Sequence, residues 1–228
     1  MRPRADRGAP GRQRQPRPHP HAGPRLGDLQ PLLGLVERCG GELRVGEIRD
    51  SRPASFAALR IAPPPAAAGP RPWPGNPFLR AEAQRAARQE EAAAAADHAR
   101  WREETDRALA EFQSALEARW RPGRLAPRTD VWSALARAEL FLGEPQAGLD
   151  RPARRWLLAV TDGEHTAGRP AAELRLDPAT TLVLVNGEGR QGDLASLTPH
   201  RFEALAAATR WIVEKSVRPA AAQEVHHD

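Results

Sequence analysis

The chain has 228 residues, of which 40% are hydrophobic, with a net charge of +5, 23 prolines and 18 glycines. This length and hydrophobic content allow one domain of ordinary size with a buried core, together with much irregular sequence. A single cysteine excludes an intrachain disulfide. No apolar run approaches the roughly 18 residues that a membrane-spanning helix needs, and no apolar segment follows the basic N-terminus as a secretory signal requires. We therefore expect a cytoplasmic protein with no membrane partner.

The first 25 residues form a leader rich in arginine and proline. Residues 1–25 contain seven arginines and one aspartate, a net charge of +6, so the rest of the chain carries −1. Each of the six prolines in the leader fixes φ and removes a backbone donor, which excludes a helix or a central strand. The basic charge could attract nucleic acid, but no aromatic side chain is present to stack on bases. We predict a disordered leader with at most weak, salt-sensitive nucleic-acid association.

A helix and a β-hairpin are predicted after the leader. Asp28 can cap a helix that extends to about Cys39, and Gly40-Gly41 ends it. We expect Cys39 to be a small buried residue. Residues 42–48 then alternate as a strand, and residues 55–61 supply its partner. The triple proline that follows begins a linker.

A long helical pattern without glycine or proline extends from Phe78 to about Trp120. Beyond Phe78 and Leu79, its first half has only small apolar residues, all of them alanine, whereas its second half carries bulky residues at helical spacing. We predict that the second half packs on the domain and that the first half is an exposed arm or a self-associating helix. An ordinary amphipathic helix is the alternative to a partner-binding arm. The bulky residues are Trp101, Leu109, Phe112, Leu116 and Trp120.

Two buried strands and two helices are predicted in the last hundred residues. A helix follows Thr129-Asp130, a strand covers residues 156–160, and the apolar run 180–185 is typical of a strand buried on both faces. A final helix is predicted from about Pro199 to Lys215, with no further strand before it, and residues 216–228 form a flexible tail. This alternation predicts an α/β fold with a mainly parallel, doubly wound sheet and one hairpin.

A hydroxyl and a carboxylate stand at the ends of these elements. Thr129 opens a helix, and Asp162 follows the strand 156–160 directly. Open α/β sheets bind ligands beyond the carboxyl ends of their strands, and a hard cation such as Mg²⁺ takes oxygen ligands. Each residue also has a local interpretation, because Thr129 could be a helix N-cap and Asp162-Gly163 a simple turn.

This order of elements resembles the von Willebrand factor A (VWA) domain of the bacterial cytoplasmic type, which carries helical insertions. The resemblance covers residues 26–215, with the linker and long helix as an insertion at about 62–122. It implies a doubly wound α/β fold and a metal-ion-dependent adhesion site, in which three loops hold Mg²⁺. The residues that carry it are Leu43–Asp50 with Phe56–Ile61 as the hairpin, Thr129–Leu135, Leu157–Gly163 and Val183–Gly187.

The resemblance implies a degenerate metal site. Thr129 matches the second of the three loops and Asp162 the third, but the first loop, Asp-x-Ser-x-Ser, and the strand before it have no counterpart in residues 19–25. Thr129 and Asp162 would then be a remnant that binds Mg²⁺ weakly, with no other cofactor implied. The missing strand would be central, which leaves two neighbouring strands without a partner. Either the sheet closes differently, or the coding region begins further upstream.

These observations predict a non-enzymatic protein-binding module. Its binding face would surround Thr129, Asp162 and Asn186, with the long helix as a second contact. The alternative is a nucleotide-binding enzyme, because Gly187–Gly192 has the spacing Gly-x-Gly-x-x-Gly after a strand. That fingerprint needs a helix directly after the loop and then another strand, and neither is predicted here. No catalytic constellation is recognisable, and the sequence does not identify the protein partner.

Overall fold

The computed structural model shows a mixed helix-and-strand fold with four helices and a small parallel sheet in the part of the chain that it describes. The predicted leader up to residue 24 and the predicted tail from residue 218 lie outside that part. The described residues are 25–48, 56–67, 69, 76–119, 129–144, 154–161, 176–185, 194, 197 and 199–217.

The first helix, α1 (Leu26–Cys39), begins with a reciprocal cap. The backbone N–H of Arg25 donates to Asp28 Oδ2 at 2.9 Å, so Arg25 is the N-cap and Asp28 is the third helical residue, not the cap as predicted. One face of α1 is apolar and buried, and it consists of Leu29, Leu32, Leu33 and Val36. The expectation that Cys39 is buried is wrong: it is exposed, since it lies in the last turn, beyond the end of the buried stripe at Val36.

A two-stranded antiparallel hairpin follows, with β1 (Gly41–Val45) paired to β2 (Ala57–Ile61). The register sets Leu43 opposite Leu59. The burial of β2 alternates, whereas every residue of β1, the strand for which alternation was predicted, is half-buried. The turn into β1 requires glycine, since Gly40 has φ 71° and a Cβ there would lie 2.5 Å from the backbone nitrogen of Pro63.

The parallel sheet has the strand order β3-β4-β5, formed by β3 (Arg155–Val160), β4 (Thr180–Val185) and β5 (His200–Phe202). The first two strands confirm their predictions. β5 contradicts the expectation of no further strand, and α4 (Leu205–Val217) therefore begins later than Pro199. Three residues are too short to show a strand period in the sequence, and their pairing with the buried strand β4 stabilises them.

In the described part of the chain, the strands do not form the single sheet that the sequence predicts. Within the described residues, β1 pairs only with β2, and β3 pairs only with β4, so the hairpin and the parallel sheet are separate. Both nevertheless belong to one packed body. Alternate residues of β4 enter two apolar clusters: Val183 and Val185 pack with α1, α2, α4 and β2, whereas Leu182 and Leu184 pack with β3 and with α3 (Val131–Leu142).

The long helix α2 (Pro77–Arg119) has two different halves, as predicted. Phe112 and Leu116 in its C-terminal half are buried in the cluster with α1 and β2. The indole N–H of Trp101 donates to the carbonyl of Ala62 at 2.9 Å and fixes α2 to the end of β2. The N-terminal half is largely exposed, with Leu79 50% exposed. At about 1.5 Å per residue, this half projects from the body as an arm of roughly 35 Å. No helix in the described ranges is long and apolar enough to span a membrane.

Candidate functional site

The direction of α3 is fixed by a contact with the start of β4. Glu139, near the C-terminal end of α3, accepts a hydrogen bond at Oε1 from the backbone N–H of Asp177 at 2.8 Å. The same oxygen accepts from the hydroxyl of Thr180, the first residue of β4, at 3.4 Å. The C-terminal half of α3 therefore lies at the amino end of the parallel sheet.

The N-terminus of α3 consequently lies towards the carboxyl end of the sheet. The nine helical steps from Asp130 to Glu139 rise about 14 Å at 1.5 Å per residue, which is most of the roughly 17 Å length of a six-residue strand. Val131 and Leu135 pack in one cluster with Ala159 and Leu184, near the carboxyl ends of β3 and β4. Thr129 thus lies towards the edge of the sheet at which ligands bind in open α/β folds.

Asp130, not Thr129, is the N-cap of α3. Its Oδ1 accepts a hydrogen bond from the backbone N–H of Ser133 at 3.0 Å, and the residue is only 1% exposed. Thr129 precedes the cap and is half-buried. The interpretation of Thr129 as the cap is therefore wrong by one residue, because a carboxylate next to it provides the acceptor.

The end of β3 lies at the same edge. The backbone N–H of Thr161 donates to the carbonyl of Val185, the last residue of β4, at 3.0 Å, which extends the parallel pairing one residue past the end of β3. Asp162 follows Thr161 directly but lies outside the described residues, as do Asn186 and the loop Gly187–Gly192. The structure therefore brings Thr129 and the residue before Asp162 to one edge, and the Asp162 side chain stays a prediction.

The described residues at this edge fit Mg²⁺ poorly. No group of three or more His, Cys, Asp or Glu that could hold a metal occurs in the described ranges. Thr129 offers one hydroxyl, and Oδ1 of the neighbouring Asp130 is engaged by the helix cap. Mg²⁺ prefers octahedral oxygen coordination and usually relies on one or two carboxylates. Asp162 would therefore have to supply the negatively charged ligand alone.

Arg44 is a structurally important residue that the sequence did not reveal. From β1 its guanidinium lies over the ring of Phe141 near the end of α3, and Nη2 is 3.3 Å from the carboxylate of Glu144. Phe56 also contacts Phe141, with ring centroids 5.9 Å apart. These contacts join the hairpin to α3. Because the ion pair spans 100 residues, no local pattern could predict it.

No protein-family model, curated protein or solved structure matches this chain.

Proposed function

We propose that this protein is a non-enzymatic protein-binding module built on an incomplete VWA-like α/β domain. The observation that carries the proposal is the direction of α3, fixed by the contact between Glu139 and Asp177. Because of it, Thr129 lies towards the carboxyl edge of a parallel sheet, where Thr161 leaves β3. The chain order of helix, hairpin, helix and parallel strands supports the VWA resemblance.

The proposed binding face is this carboxyl edge, with Thr129, Asp162 and Asn186 at its centre. Thr129 and Asp162 would be remnants of an adhesion site that holds Mg²⁺ only weakly. The two oxygen ligands and the single negative charge of this pair would not offset the free-energy cost of removing water ligands from Mg²⁺. Recognition of the partner would then depend on direct contacts of the protein rather than on a bridging cation.

Isothermal titration with Mg²⁺ and Mn²⁺ tests the metal part of the proposal. The full chain should show no binding in the micromolar range, and Asp162→Ala should leave the titration unchanged. Glu91→Ala, on the exposed arm of α2, is the matched control for loss of one carboxylate. Micromolar binding that Asp162→Ala abolishes and Glu91→Ala preserves would show a working cation site.

Site-specific photo-crosslinking tests the location of the binding face. A benzophenone side chain is introduced at Thr161, at the carboxyl edge, and as a control at Leu140, which is 76% exposed in the C-terminal half of α3. Crosslinking to one defined protein from position 161 but not from position 140 is expected. Equal crosslinking from both positions, or from neither, would contradict a binding face at this edge.

The exposed half of α2 is proposed as a second contact surface, for a partner or for a second copy of the chain. Arg80, Arg85 and Arg88 precede Glu90, Glu91 and Asp97, so the arm has a basic segment followed by an acidic one. An antiparallel pair of arms would set opposite charges side by side. Sedimentation equilibrium distinguishes the two partners, because only self-association makes the mass of the isolated chain depend on its concentration.

A further inference from the structure

One face of the α2 arm is partly covered along most of its length. Between residues 81 and 99, the alanines on this face are half-buried, whereas every other alanine is exposed. We call this face the alanine stripe, and it consists of Ala83, Ala86, Ala87 and Ala94. The side chains of the helix itself do not explain the difference, because Ala81 has Gln84 and Arg85 one turn away and is still exposed. The stripe thus has a cover that the exposed alanines lack.

The alanine stripe continues the face by which α2 packs on the body. Two helical turns along this face lead from Ala94 to Trp101, which is also half-buried. The indole N–H of Trp101 donates to the carbonyl of Ala62, one residue past the end of β2. The body packs on α2 beyond this point, where Phe112 and Leu116 are buried. The chain therefore leaves β2 at the place where the stripe meets the packed part of α2.

The connection from β2 to α2 has to run the length of the arm. It begins at Ala62, beside Trp101, and ends at Pro77, the first residue of α2. The helix rises about 36 Å from Pro77 to Trp101 at 1.5 Å per residue. Over the same connection, a flexible chain would span only about 21 Å on average, whereas a polyproline II chain would span about 46 Å. The two ends are therefore held at a distance that only a largely extended chain spans.

The sequence of the connection suits an extended chain that packs on alanine. Residues 62–76 contain six prolines, which favour the polyproline II conformation and need no backbone partner there. Proline rings against alanine methyl groups remove apolar surface from water on both sides. In the described part of the connection, Pro64 and Pro65 are half-buried, although they belong to no helix or strand. Residues 68 and 70–75 lie outside the described part.

We propose that the alanine stripe is an internal docking site and that its occupant is the proline-rich connection 62–76 of the same chain. The arm is then a two-layer projection, in which an extended chain packs on a helix, and it forms without a partner. The docking itself goes beyond the proposed function. Its consequence for recognition rests on that function: a partner or a second copy would meet the charged faces of the arm, because the alanine stripe is occupied.

Alanine-to-glutamine substitutions in the full chain test the docking. Ala83→Gln and Ala87→Gln place a polar side chain on the stripe, and Ala81→Gln and Ala95→Gln are matched controls at exposed positions of the same arm. All four variants carry the same small cost in helix propensity. The two stripe variants should exchange the amides of residues 83–98 at least about threefold faster than the controls, because they displace the connection. Equal exchange rates in all four variants would overturn the inference.

A spin label on the connection tests its location without altering the stripe. The label is attached to Gly69→Cys in a Cys39→Ser background, since a Cβ at position 69 has nothing within 4 Å. This position lies almost halfway along the connection and is therefore level with about residue 90 of α2. Paramagnetic broadening of the arm amides should be strongest around that residue, measured against a diamagnetic label at the same position. Weak and even broadening along the arm would show that the connection lies away from the stripe.

The spin-label experiment and the crosslinking experiment separate this inference from the proposed function. Position 161 lies at the carboxyl edge of the sheet and not on the arm, so crosslinking from it does not depend on the docking. Absence of the localised broadening, with crosslinking from position 161 intact, would refute the docking alone. Localised broadening without that crosslinking would support the docking and refute the binding face at the carboxyl edge.

Discussion

Glu139 of α3 accepts a hydrogen bond from the backbone N–H of Asp177 at 2.8 Å, just before β4 begins. This contact joins residues 38 positions apart and fixes α3 antiparallel to the strands of the parallel sheet. The candidate site depends on that direction, since reversing α3 would carry Thr129 to the opposite edge.

Removing the acceptor at position 139 should destabilise the protein. Glu139→Ala leaves the Asp177 N–H and the largely buried Thr180 hydroxyl without their partner, and a loss of about 1–3 kcal/mol in the free energy of unfolding is expected. Glu139→Gln retains a carbonyl acceptor and should cost less. Urea denaturation measures both variants. Equal losses would mean that the charge of Glu139, and not its acceptor oxygen, stabilises the contact.

Loss of the N-cap of α3 should lower the free energy of unfolding by less than the loss of Glu139. Asp130→Ala removes the oxygen that accepts from the Ser133 N–H, which typically costs about 1 kcal/mol. Asp130→Asn keeps an acceptor at the same position and is the control. Thermal and urea denaturation report the difference. If Thr129→Ala were as destabilising as Asp130→Ala, the assignment of Asp130 as the cap would be wrong.

Substitution of a large apolar side chain by alanine should destabilise the protein much more in the C-terminal half of α2 than in its N-terminal half. Phe112 is 2% exposed in the main cluster, so Phe112→Ala should cost about 3–5 kcal/mol. Leu79 is half exposed on the arm, and Leu79→Ala should change the free energy of unfolding by less than about 0.5 kcal/mol. A large loss for Leu79→Ala would show that the arm packs on the protein in solution.

Nucleotides should not stabilise the protein. Within the described residues, the first α-helix after the Gly187–Gly192 loop is α4, which begins at Leu205, after β5. The dinucleotide fingerprint needs a helix directly after the loop. Thermal-shift measurements with NAD, NADP and ATP at millimolar concentration should leave the melting temperature unchanged. A rise with any of them that Gly189→Val removes would support the enzymatic alternative.

Local patterns in the sequence were sufficient for most of the elements. The hairpin, the buried strand 180–185 and the long helix without glycine or proline were predicted to within a few residues, because each has a clear period or a clear terminator. β5 was missed because three residues carry no period. The cap of α3 was misplaced by one residue, since Thr129 and Asp130 are both good capping residues and only coordinates distinguish them.

The tertiary contacts could not be predicted in the same way. Arg44 contacts Glu144 and Phe141, which lie about a hundred residues later in the sequence, and nothing in the local sequence of β1 indicates these contacts. The proline pattern of the leader predicted no central strand there, and residues 1–24 lie outside the described part. Within the described residues, the hairpin and the parallel sheet share helices without sharing hydrogen bonds, and only the three-dimensional packing shows this.

Residue-resolved amide hydrogen exchange of the isolated full chain tests the separation of the hairpin from the parallel sheet most directly. The amides of β4, which is paired on both sides, should exchange slowest. In β1 and β3, alternate amides should exchange much faster than their neighbours, because within the described residues those N–H groups face an edge without a paired strand. Uniform slow exchange along Gly41–Val45 and Arg155–Val160 would show that both strands already have a second neighbour, and it would contradict the account.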